Sequence, residues 1–284
     1  MTLGIGTICE SGECIVLASD RRITYGATPI GPNDDASKQY RLRPLKCCVL
    51  VAGRMSTSHA IFSQFQETVL NLKDKDTPPE LLMNLFDDAR FRELKRIYDC
   101  ELKHRCGFTL HEWATGKISG TKMNKLIVEA GLIILENIPL RSEMIVAGFV
   151  RDWGVFFKAS QKQKIEEETS PGTYVIGSGS ILAMEQLNKR GQNVHMTLGR
   201  TLLHVYEAML KAQSKTVGPP PELVTVIRKR EAKLLVYPLV QLETWRREYE
   251  SRTNTASLDD SHLAAREVAH RLRYLKEDDL DKFE

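Results

Sequence analysis

The chain has 284 residues, 42% of them hydrophobic and 27% charged, with a formal net charge of +3. That is enough for one large domain with a full core, or for two small ones. A charge so near balance argues against nucleic acid or an anionic membrane as partner, and no apolar run approaches the ~18 residues that a bilayer span needs. The N-terminus shows no basic segment followed by a long apolar stretch, which argues against a secretory signal. Six cysteines without regular spacing read as reduced thiols, so a cytoplasmic setting is expected.

Residues 3–9 (LGIGTIC) and 14–19 (CIVLAS) are short, apolar and β-branched. ESGE between them supplies a turn, so the pair predicts a hairpin. Residues 46–52 (KCCVLVA), bounded by Pro44 and Gly53, suit a buried strand in which Cys47 and Cys48 face opposite sides. From 56 to 72 the spacing turns helical, with Ile61, Phe65 and Val69 at i, i+4, i+8. After Pro78-Pro79 a second helix is expected to about Lys103.

Strands are predicted at 126–135 (LIVEAGLIIL), 143–150, 153–158 and 173–176. The last runs into GSGS, where a helix begins with Ser180 as its expected N-cap. A further helix spans 197–212, and 223–227 and 232–239 read as closing strands. Two strand sets, each followed by a helix pair, suggest a layered α/β sandwich rather than alternating βαβ units. Beyond 240 the chain is highly charged, with a helical stretch around 262–275. The expected division is therefore a domain over 1–239 and a charged C-terminal extension over 240–284, helical or partly disordered.

Local motifs are weak on their own. Cys100, His104, Cys106 and His111 are zinc ligand types, but their spacing departs from structural zinc patterns, so no metal site is expected. GSGS lacks the P-loop lysine and the dinucleotide glycine spacing, and reads equally well as a turn and helix cap. Ser37 is adjacent to Lys38, which does not fit an S-x-x-K site.

Taken together, TLGIGTI, GECIVLASDRRITYG, SKQYRL and CVLVAG resemble the start of the proteasome β-subunits and their bacterial relatives, which are N-terminal nucleophile hydrolases. YVIGSGSILA resembles the same family's glycine–serine turn before its third helix. The resemblance covers roughly residues 2–230 and implies a four-layer αββα sandwich. Residue by residue, it implies a nucleophile at Thr2 once Met1 is removed, an acidic partner at Asp20 followed by Arg22, and an essential lysine at Lys38. It also implies an oxyanion-hole amide at Gly53 and a serine near the terminal amine at Ser178. Ile23, Ala36, Val51 and Met55 would line an apolar substrate pocket. No cofactor is implied. The implied partners are a peptide or protein substrate and further copies in a homo-oligomeric ring, with an ATPase as candidate accessory.

Two departures stand out. The family's catalytic members carry an aspartate and a serine after the last long helix, whereas AQSKTVGPPPE here has no acidic residue in register. The stretch between Thr2 and Asp20 is also about two residues longer than the family's.

The chemistry is coherent. A threonine hydroxyl is a weak nucleophile and needs an adjacent base. A free α-amine, with an ordinary pKa of about 7.7–8.0, becomes that base when a nearby ammonium disfavours its protonation. The expected activity is cleavage of peptide or other amide bonds through an acyl-enzyme on Thr2. Two alternatives stay open: a non-catalytic assembly or binding subunit in which Asp20 and Lys38 form only a structural ion pair, and a transpeptidase whose acceptor is an amine.

Overall fold

β1 (Leu3–Cys9) and β2 (Cys14–Ser19) pair antiparallel from Gly4↔Ser19 to Cys9↔Cys14. The single 3-10 turn Glu10–Gly12 reverses the chain, and all three of its residues take positive φ, Gly12 at +94°. The computed structural model describes residues 3–20, 38–72, 77–138, 140–151, 153–160, 166–167, 172–213, 217, 223–229, 234–238, 244 and 247. Within them lie β3 (Gln39–Leu42), β4 (Lys46–Gly53), α1 (Met55–Leu70), α2 (Pro79–Cys106), α3 (Leu110–Thr115), β5 (Lys117–Ile118), β6 (Thr121–Lys122) and α4 (Lys125–Asn137). There follow β7 (Ser142–Val150), β8 (Trp153–Ala159), β9 (Glu166–Glu167), β10 (Thr173–Gly177), α5 (Ser180–Lys189), α6 (Leu198–Ala212), β11 (Leu223–Arg228) and β12 (Leu234–Pro238).

The strands form two antiparallel five-stranded sheets, ordered β10-β1-β2-β11-β12 and β3-β4-β7-β8-β9, and β5-β6 is a separate small hairpin. The fold is thus mixed, with helices and antiparallel sheets. Strand alternation explains which surfaces meet. Along β4, Cys47, Val49 and Val51 join Ile61, Phe65 and Phe86 of α1 and α2. Cys48, Leu50 and Ala52 point the other way, toward Ile15, Leu17 and Ile176 of the first sheet. The reverse face of that sheet (Leu3, Ile5, Val16, Ala18) packs on Ala183, Leu187, Leu202, Val205 and Met209 of α5 and α6. Each large side chain removed from water contributes about 1.5–3 kcal/mol. Phe65 and Phe86 meet edge to face at 5.2 Å, which fixes α1 against α2.

The largest departure from expectation is 126–135. LIVEAGLIIL is not a strand but the body of α4. A run apolar at nearly every position has no period to read, so strand and helix are indistinguishable by pattern. Asn124 settles the matter locally, because its side chain accepts from the Leu126 amide at 3.0 Å and caps the helix. Ser180 is not a cap either: it is the first residue of α5, Gly179 holds the cap position, and no side-chain capping bond forms. α2 runs past Lys103 to Cys106 and ends at Gly107 in the left-handed conformation (φ 78°), a conformation that costs glycine little. No helix among the described residues is long and apolar enough to cross a membrane.

Between the first sheet and α6 lies a buried polar network. Thr7 and Thr173 share a hydroxyl bond of 2.7 Å. Gln192 Nε2 donates to Thr201 Oγ1 at 3.2 Å, and the Gln192 Oε1 lies 2.8 Å from His204 Nδ1. Burial, aided by Arg190 and Arg200 and opposed by Glu207, pushes His204 down to about 4. A folded-state value below the ordinary 6.5 means that the unfolded chain takes the proton more readily. The network's stability is therefore complete above about pH 6.5 and is lost as pH falls toward 4, by up to about 3 kcal/mol. Urea unfolding at pH 7 and pH 4.5 is expected to show a smaller acid loss in His204→Gln than in the wild type. Equal losses would show that another group titrates.

Candidate active site

The hairpin register sets the first half of the site. One step beyond Gly4↔Ser19, Asp20 comes alongside Leu3. The Asp20 amide donates to the Leu3 carbonyl at 3.1 Å, and the Leu3 amide donates to Asp20 Oδ1 at 2.6 Å. The second half comes from the other sheet. The Val51 amide donates to the Lys38 carbonyl at 3.0 Å, extending the β3–β4 ladder by one residue beyond Gln39↔Leu50. Lys38 Nζ then donates to the same Asp20 Oδ1 at 3.0 Å. Both side chains are 0% exposed. Removing an ion from water costs several kcal/mol even after relaxation, so such a pair persists only with hydrogen bonds around it. Here one carboxylate oxygen accepts from both a backbone amide and an ammonium.

Further polar contacts bridge the sheets at this end. Gln39 Nε2 donates to Ser19 Oγ at 3.4 Å, and Thr225 Oγ1 donates to Gln39 Oε1 at 2.7 Å. The Gly177 amide donates to Glu143 Oε2 at 2.7 Å. Gly177 pairs with Leu3, and Glu143 pairs with Ala52. Leu3, Asp20, Lys38, Gly53, Glu143 and the Gly177-Ser178 turn thus gather at one end of the two sheets, beside an apolar middle.

Gly53 closes β4 at φ +97°, and a Cβ there would lie 2.2 Å from the Arg141 carbonyl oxygen. That oxygen accepts from the Arg54 amide at 2.6 Å, so it is held in place and only glycine fits. Gly53 itself is exposed to solvent. Ser178 is exposed in the turn before α5. Val51 is fully buried, with its side chain on the helix side of the sheet, and Met55, the first residue of α1, is partly buried against the same cluster. Thr2, Arg22, Ile23 and Ala36 lie outside the described residues.

Glu143 is the residue that sequence reasoning missed. At the start of an apolar run (EMIVAGFV) it reads as a solvent-facing strand end. Only the antiparallel partner of β7 and its reach to the opposite sheet give it a place. The Cys14 and Cys48 thiols are poor alternative nucleophiles. The Cys9 side chain and burial raise the Cys14 thiol, and burial pushes Cys48 up to about 12. Cys100 and His104 are exposed on α2, and no group of three or more His, Cys, Asp or Glu that could hold a metal occurs among the described residues.

No protein-family model and no curated protein matches this sequence.

Proposed function

We propose that the chain is an N-terminal threonine hydrolase that cleaves peptide or other amide bonds, on a four-layer αββα sandwich of the proteasome type. The three apolar clusters, one between the sheets and one under each helix pair, support the layering. The observation that carries the activity is the sharing of Asp20 Oδ1 by Lys38 Nζ and the Leu3 amide. Thr2 is bonded to that Leu3 nitrogen. A buried ammonium therefore stands close to where a freed α-amine would begin, and a like charge of that kind favours the neutral, basic amine.

In the proposed reaction, the Thr2 hydroxyl oxygen attacks the substrate carbonyl carbon while the α-amine takes its proton. The carbonyl oxygen gains the negative charge, which the Gly53 amide would stabilise; in other enzymes one such donor is worth about 2.7–4 kcal/mol. Breakage of the C–N bond returns the proton to the leaving amine and leaves an ester on Thr2. Water, deprotonated by the same α-amine, releases the acid and restores the threonine.

Burial of the Asp20–Lys38 pair also favours a second reading, a non-catalytic assembly subunit in which the pair is purely structural. Intact-mass analysis after exposure to a β-lactone or epoxyketone separates the two. A chain lacking Met1 that gains the inhibitor's mass at Thr2 is expected. An unlabelled chain that still carries Met1 would overturn the hydrolase reading and leave the assembly subunit.

A further inference from the structure

α4 is apolar on almost every side, and the described residues cover it on one. Its inner side holds Gly131 against Trp113, whose Nε1 donates to the Val128 carbonyl at 3.1 Å. Val128, Ile134 and Leu135 pack there on Leu102, Phe108 and Met123. On the outer side Leu126 is 71% exposed, Ile133 60% and Leu132 46%. Leu126, Ala130 and Ile133 stand at i, i+4, i+7, so they form one stripe about 10 Å long. Glu129 and Glu136, also seven residues apart, run along one edge of it. A helix apolar all round is normally a buried one, and a contiguous exposed stripe marks a contact surface.

We propose that this stripe is the docking site for residues 262–275 of the same chain. Their sequence, HLAAREVAHRLRYL, places Ala265, Val268, Leu272 and Leu275 at i, i+3, i+7, i+10, an apolar stripe of about 15 Å on a helix, long enough to cover the α4 stripe. The charges are complementary. The segment carries three arginines against one glutamate, with Arg271 at the edge of its stripe, whereas α4 carries Glu129 and Glu136 against Lys125. The tether is sufficient: 239–261 separate the segment from the end of β12. At about 3.3–3.6 Å per residue these span at most roughly 80 Å, more than the diameter of about 46 Å that goes with a radius of gyration of about 18 Å. Docking buries the two stripes against each other and sets Arg271 beside the glutamate edge.

Hydrogen exchange on the full-length protein tests this. The double variant Val268→Asp, Leu272→Asp is expected to speed exchange of the 126–136 amides roughly tenfold through easier local opening. The wild-type protection should not change with protein concentration. Glu136→Arg should lose the same protection, and adding Arg271→Glu should restore it. Equal rates in wild type and the tail variant would overturn the proposal. So would protection that rises with concentration in both proteins, since a second copy would then be the cover.

Discussion

Asp20→Ala is expected to lower the folding free energy by about 3–5 kcal/mol, because Lys38 is then buried without the carboxylate that faces it. The Leu3 amide loses its acceptor in the same change, and an unsatisfied buried donor alone costs about 1–3 kcal/mol. Domains are stable by only about 5–15 kcal/mol in all, so the urea midpoint should fall steeply with little change in slope. The double variant Asp20→Leu, Lys38→Met removes both charges and fills the space with apolar atoms. It is expected to recover most of the loss, because well-packed apolar replacements for buried ion pairs are often neutral or better. The double variant thereby divides structure from chemistry. If the pair serves acyl transfer, the rescued protein is folded but takes no label at Thr2. A midpoint unmoved by Asp20→Ala would mean that the pair does not tie the sheets together.

Both halves of that pair were pointed to by one route, the resemblance of short motifs to a known family. The hairpin over 3–19 follows from apolar β-branched runs around ESGE, but Asp20 is singled out through the resemblance of GECIVLASDRRITYG, and the register that sets it beside Leu3 comes from the structure. Lys38 carries no local signal. It was singled out only through the resemblance of SKQYRL to a known pattern, and its contact with Asp20 joins two different sheets. Cross-sheet contacts of this kind have no periodicity, which is also why Glu143 went unnoticed. A layered α/β arrangement was legible from the element order, two strand sets each followed by a helix pair, whereas the two faces of β4, Cys47, Val49, Val51 and Cys48, Leu50, Ala52, are separated only in the structure. The 107–138 segment was not legible, for a related reason. α4 presents apolar residues both to Trp113 and to the outside, and a segment with two apolar faces loses the period that identifies a helix.

Thr2→Ala should abolish labelling and reduce cleavage of fluorogenic peptide amides ending in an apolar residue by about 10³–10⁶-fold, the range seen when a nucleophile acting as part of a unit is removed. In the proposed reaction the hydroxyl is the atom that becomes acylated, and among the described residues no other nucleophile at this end of the sheets has a base beside it. Ser178 is exposed but has no base bonded to it among the described contacts, and the Cys14 and Cys48 thiols are pushed up in pKa by their buried surroundings. Thr2→Ser retains both hydroxyl and α-amine, so it should still take label and turn over at a reduced rate. Thermal unfolding supplies the control, because Asp20, Lys38 and the Leu3 amide are untouched and the midpoint of either variant should stay within a few degrees of wild type. Loss of turnover together with a large fall in midpoint would trace the defect to folding. Full turnover in a stable Thr2→Ala protein would instead remove the nucleophile from the chemistry. The shared Asp20 oxygen would then be a clasp between two sheets, and the cleavage would have to be carried by a group other than Thr2.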